Sequence, residues 1–290
     1  MKKLFVLVAV LALLCVGGSA GAAQFMDITF DGDTIGSAPA TGTPITQIGA
    51  LGGYSATAYG SPPTTDMGTI VVDNVAGMSK AAVLTTNPDN GVVGALFMDT
   101  SLNVISSQLG VTFDIGVLAA PTSATAQAPY SLNGTSDTAG VLFGLRAYAS
   151  SAAQWAFSFA VAPTSATGGV FALRDATNTQ MTTFGSYVEG QKYNIALSAD
   201  YTTGTVNAYV DGVLGYSGYP LRSAPTAAPV TTSELFMYFN GQTGYANQVA
   251  IDNIKGFDQA INPAVPEPMS IMLGIMGLGS VAGFRKLRRK

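Results

Sequence analysis

The chain has 290 residues, 48% hydrophobic and only 10% charged, so it can bury a sizeable core and does not disorder through self-repulsion. It contains no histidine, which excludes Ser-His-Asp and Cys-His catalysis and histidine-ligated zinc. Apart from Lys2, Lys3 and the basic cluster after Phe284, six basic residues face 17 acidic ones, and so acidic a body is a poor partner for nucleic acid.

Met1-Lys2-Lys3 precede an apolar run over residues 4–16, and Gly17-Gly18-Ser19 and Ala20-Gly21-Ala22 follow it. A basic start, an apolar run too short to span a bilayer and an A-x-A site make residues 1–22 a signal peptide. Ala20 and Ala22 mark the cleavage site. The partners this implies are Sec-type export machinery and signal peptidase. Cys15 lies in the apolar run behind Leu14, where a lipoprotein would need a small residue, so it reads as apolar filler. The mature chain then has neither thiol nor disulfide.

Residues 23–262 read as one all-β domain, with no amphipathic helix and no exact internal repeat. Short β-rich runs fall at 25–30, 69–72, 80–85, 109–117, 141–150, 155–162, 170–174, 192–199, 205–210, 235–240 and 249–257. The clearest unit is a hairpin. Tyr193, Ile195, Leu197 and Ala199 alternate with polar or small residues, Asp200 to Gly204 turn the chain, and Val206, Ala208 and Val210 alternate on the return. Asp211-Gly212 opens the next turn. Phe30-Asp31-Gly32, this hairpin, and the closing run Val249-Ala250-Ile251-Asp252-Asn253-Ile254 together resemble the concanavalin A-like (LamG-like) jelly-roll superfamily. That resemblance implies an antiparallel sandwich whose first and last strands lie side by side. The superfamily contains lectins, carbohydrate-binding modules, adhesion modules and glycosidases, so the fold leaves function open.

Three sets of residues could carry chemistry. Asp31 and Asp33 near the start and Asp252 near the end would converge if the terminal strands pair, and carboxylates with backbone carbonyls are what calcium takes. The plainer reading is that each of these aspartates is a turn former or a solvated surface residue. For glycoside hydrolysis two carboxyls must flank the bond. Glu189, Glu234 and Glu267 have no other acid within five residues along the chain. For a glycan platform, Tyr216 and Tyr219 sit in a loop-like stretch, whereas Trp155 alternates with Phe157 and Phe159 and is expected in the core.

Pro266-Glu267-Pro268, a Gly-rich apolar run over 269–284 and the basic end Arg285-Lys286-Leu287-Arg288-Arg289-Lys290 form the last segment, 263–290. In order and position these three parts resemble the PEP-CTERM sorting signal. The resemblance implies recognition by an exosortase, a membrane-embedded protease-transpeptidase, with cleavage near Pro266, Glu267 and Pro268. The apolar run is short for a stable span, and its basic end is expected to stay cytoplasmic. An uncut membrane anchor is the other reading.

The sequence thus predicts an exported surface or matrix protein, transiently anchored in the inner membrane by its C-terminal helix. Its β domain is expected to be non-catalytic, with extracellular polysaccharide as the candidate partner. A polysaccharide-active hydrolase is the alternative.

Overall fold

The computed structural model describes residues 24–40, 45–49, 68–86, 95–99, 105–119, 143–149, 155–165, 167–174, 181–221, 230–238 and 247–263. The signal peptide, with Ala20 and Ala22, and the tail from residue 264, with Pro266, Glu267 and Pro268, lie outside the described residues. Among the described residues no helix is long and apolar enough to cross a membrane.

The described chain is all-β. Its strands are β1 (Gln24–Ile28), β2 (Ile45–Gly49), β3 (Thr69–Val75), β4 (Ser79–Thr85), β5 (Ala95–Asp99), β6 (Ile105–Ser106), β7 (Gln108–Ala119) and β8 (Phe143–Ala149). Then follow β9 (Trp155–Ser165), β10 (Gly168–Arg174), β11 (Met181–Val188), β12 (Lys192–Asp200), β13 (Thr205–Val210), β14 (Val213–Pro220), β15 (Val230–Tyr238) and β16 (Gln248–Phe257). They form two antiparallel sheets. Sheet A runs β14-β13-β12-β7-β16-β4-β3, with β1 also on β16. Sheet B runs β11-β10-β9-β8-β15-β5-β2, with β6 also on β15.

Period-2 alternation decides which faces meet. On β7, Leu109, Val111, Phe113, Ile115 and Val117 are buried, while Thr112 and Asp114 take the intervening positions. Such a strand hides one face and must find another sheet to cover it. Sheet B supplies Phe157, Phe159, Val161, Phe171, Leu173, Phe184 and Met237 to the same core cluster. Phe159 sits edge-on to Phe113 at 5.4 Å between ring centroids, and Phe171 meets Tyr193 edge-on at 5.4 Å, so the aromatics tie the sheets together.

The predicted hairpin is present. Asp200 Oδ1 accepts the Thr202 and Thr203 N–H groups at 2.8 and 3.1 Å and shapes its turn. Val210 then pairs with Val213 across Asp211 and Gly212, at φ 50° and 78°, the two positive dihedrals of a type I′ turn. The stretch with Tyr216 and Tyr219, expected as a loop, is instead edge strand β14. Tyr219 is buried in the core with Tyr216 edge-on to it at 5.5 Å.

The β14 edge leans onto β11 of the other sheet. A Cβ on Gly215 would stand 2.9 Å from the Phe184 carbonyl carbon and nearer still to its oxygen, so the backbones approach as only glycine permits. Gly215→Ala is expected to lower stability by about 1–3 kcal/mol through overpacking. The check is a shift of the urea midpoint at unchanged m-value. A variant as stable as the parent would refute the tight contact.

Candidate functional site

Sheet A and sheet B each place chemistry-bearing residues on the face turned away from the core. On sheet A these lie along the seam where the chain's ends meet. The first half of β16 pairs with β4 and the second half with β1, while β7 flanks it on the other side. Asp252 and Asn253 fall at this changeover, in a register shift, with Asn253 at φ 51°. Register sets Asp252 directly opposite Asp114. Like charges so placed repel.

The two carboxylates are treated differently. Asp114 is buried but accepts Lys192 Nζ at 3.2 Å, Asn194 Nδ2 at 2.9 Å and Asn253 Nδ2 at 2.9 Å. Asp252 is 2% exposed, and its Oδ1 has no hydrogen-bond partner. Burial pushes its carboxyl up to about 6; backbone donors at Asn253 and Phe30 oppose that, and repulsion from Asp31 and Asp114 adds to it.

The expected calcium ligands are therefore only partly gathered. Asp31 comes within electrostatic reach of Asp252. Asp33 instead contributes its backbone carbonyl, which accepts Lys80 Nζ at 2.8 Å, as does the Asp31 carbonyl at 2.8 Å. Ser79 Oγ donates to Asp31 Oδ1 at 3.2 Å. The Lys80 ammonium thus sits on the loop carbonyls that a calcium ion would use. Among the described residues no group of three His, Cys, Asp or Glu side chains is arranged to hold a metal.

Sheet B gives a different surface. Phe157, Phe159, Leu173 and Met237 are in the core, so the alternate positions of β9, β10 and β15 belong to the outer face. Register then aligns rows across the sheet. One row runs Gln47, Phe97, Phe236, Arg146, Ser158. Arg174 follows Leu173, the partner of Phe159, and so extends the row to Met181. The neighbouring row sets Asp99 opposite Glu234 and Glu234 opposite Tyr148. A register shift between Ala147 and Tyr148 then pairs Tyr148 with Trp155. On the other side, Tyr238 lies opposite Gly144.

A groove of about 430 Å³ on sheet A is lined by Thr69, Val71, Asp73, Thr85, Leu118 and Gln248. It offers hydroxyls and an amide but no aromatic or basic side chain. Tyr209, Lys192 and Asp114 also lie on the outer face of sheet A, since Tyr209 is opposite Ala196 and Ala196 opposite Thr112.

No family model matches the chain, and no curated protein matches it. Solved structures do. Domain 4 of AbnA, an extracellular arabinanase from Geobacillus stearothermophilus solved with arabinotriose, is 20% identical over 84% of this chain and 96% of that one, at TM-score 0.46. The binding domain of botulinum neurotoxin serotype G is 10% identical over 86% of this chain and 50% of that one, at TM-score 0.46. A sialidase is 13% identical over 65% of this chain and 16% of that one, at TM-score 0.43. The chain thus spans half or less of the sialidase and neurotoxin chains.

Asp252 makes stability depend on pH. The unfolded carboxyl titrates near 3.8 and the folded one near 6, so the folded state holds the extra proton between those values. Stability therefore falls as pH rises from about 4 to 7, by roughly 3 kcal/mol given ~1.4 kcal/mol per pKa unit. Asp252→Asn keeps the shape and removes the charge. It is expected to raise the melting temperature at pH 8 and to flatten this part of the profile. A variant that instead loses stability at pH 8, with EDTA lowering the parent's melting temperature, would reverse this reading and favour a cation on the carboxylate.

Proposed function

We propose that the chain is an exported surface or matrix protein. Its sandwich, of the concanavalin A-like jelly-roll type, is a non-catalytic glycan-binding module working through the outer face of sheet B. The observation that carries this reading is the register of Phe97 and Phe236 beside Arg146, with Tyr238 and Tyr148 in the flanking rows. Sugar rings bind where aromatic faces meet their C–H surfaces and polar groups meet their hydroxyls. Flat, adjacent strands present such groups at fixed spacing.

The delivery route rests on the two terminal segments. The signal peptide sends the chain out, and the Pro266-Glu267-Pro268 tail hands it to an exosortase-like protease. Gln24 pairs with Phe257, so the first and last described strands lie side by side inside sheet A.

A second reading is favoured by one observation. Asp99 and Glu234 are register partners on neighbouring strands. Directly opposed residues have Cβ atoms about 4.5–5.5 Å apart. Retaining glycosidases need two carboxyls at about that separation. Release of reducing sugar from a polysaccharide, abolished by Glu234→Gln, would replace the binding reading with this one.

Affinity electrophoresis of the full chain through gels containing arabinan, polygalacturonate or other matrix polysaccharides tests the binding reading. At least one polymer is expected to retard the protein. Phe236→Ala is expected to weaken that retardation about tenfold, since stacked aromatic contacts are worth ~1 kcal/mol or more. Tyr238→Ala gives the same test should Phe236→Ala fail to fold. Free migration through every polymer would refute a glycan-binding face.

A further inference from the structure

We propose that Lys192 and Asn253 form an intramolecular isopeptide bond, with Asp114 as the base that drives it. The bond joins β12 to β16 across β7, the strand that carries Asp114. It staples the middle of sheet A whatever ligand the sandwich takes.

Three observations point to it. The first is a shared oxygen. Lys192 Nζ donates to Asp114 Oδ2 at 3.2 Å, and Asn253 Nδ2 donates to the same atom at 2.9 Å. An amine and a carboxamide on one acceptor stand no more than about 6 Å apart, a gap that a change of lysine rotamer closes. Asn194 Nδ2 also donates to Asp114, but to Oδ1, at 2.9 Å. Asn194 lies on the same strand as Lys192, so a link there would join no strands.

The second is the backbone at Asn253. Regular alternation along β16 would turn Asn253 to the opposite face from Asp252, and so away from Asp114. The register shift between Asp252 and Lys255, with Asn253 at φ 51°, brings its amide to Asp114 instead. Asparagine is among the few residues that accept this left-handed conformation. The conformation alone, however, does not require an amide aimed at a buried carboxylate.

The third is the exclusion of water. Asp114 is 5% exposed, and Asp252, directly opposite, is 2% exposed. Water competes for an amide under attack, and in a dry seam the held amine is the nucleophile at hand. A carboxylate at hydrogen-bond distance from the ammonium is a general base already in place. The chain has one cysteine, so no disulfide within it can staple these strands.

The step balances. Asp114 takes a proton from the Lys192 ammonium and frees its electron pair. That pair forms the bond from Nζ to Asn253 Cγ, and the carbonyl pair moves onto Oδ1. Asp114 then passes its proton to Nδ2 and takes the second proton from Nζ. The carbonyl re-forms, the Cγ–Nδ2 bond breaks, and ammonia leaves with the proton that Asp114 holds. An ammonium and a side-chain amide have become a secondary amide and an ammonium ion, with nothing oxidised or reduced.

The test is mass spectrometry of the purified full chain after denaturation and proteolysis. The β12 and β16 peptides are expected to be joined, at a mass one ammonia below their sum. Lys192→Arg, which keeps the positive charge beside Asp114, is expected to release them as separate peptides, as is Asp114→Ala. Lys192→Arg carries the test should Asp114→Ala fail to fold. Asn194→Ala is expected to leave the peptides joined. Lys192→Arg is also expected to lower the melting temperature by about 10 °C, because the link closes a loop of roughly sixty residues in the unfolded chain. Separate peptides from the folded parent, with Lys192 and Asn253 unmodified, would overturn the proposal. A link to Asn194 or to Asp114 itself, or one that persists in Lys192→Arg, would overturn it as well.

Discussion

The architecture depends on how β16 is paired. This last strand lies inside sheet A with β7 along one side and, along the other, β4 for its first half and β1 for its second. Val249, Ile251 and Ile254 carry its inner face into the core, each fully buried. Three separate stretches of chain therefore rely on one strand for hydrogen bonds, and sheet A has no continuous middle without it. The aromatic contacts between the sheets need that middle, since Phe113 sits on β7 beside it.

The changeover from β4 to β1 leaves a seam, and polar residues occupy it. Asp114 and Asp252 stand opposite each other across the strands. Three donors stabilise Asp114, whereas Asp252 keeps an oxygen without a partner. A carboxylate in that state relaxes by holding a proton. Lys80, donating to the carbonyls of Asp31 and Asp33, closes the loop after β1 with a cation that belongs to the chain itself. The seam is thus largely satisfied from within.

Much of the fold could be read along the sequence where alternation was strong. The hairpin from β12 through β13 is local, its turns carry Asp and Gly where positive dihedrals are required, and structure and sequence agree on it. Strand β11, with Thr182, Thr183 and Ser186 among its apolar residues, shows a broken rhythm because a register shift interrupts it beside β10. Strand β14 is exposed at nearly every position, so nothing in its composition marks it as a strand. Function was harder to read for a related reason. Glu234 is isolated along the chain, yet pairing with β5 brings Asp99 opposite it. The two are 135 positions apart, and only sheet order reveals the pair. At Asp33 the contact formed is through the backbone carbonyl, which accepts Lys80 Nζ and which any residue could supply.

The position of β16 also bears on the order in which the chain can fold. Chain synthesis proceeds from the N-terminus, so β1, β4 and β7 all exist long before their common partner does. Their side-by-side arrangement closes loops of more than a hundred residues, and that loop-closure entropy is offset only when the last strand arrives. Until then the earlier strands have unsatisfied edges and an uncovered apolar face. A sandwich wired in this way folds late and all at once.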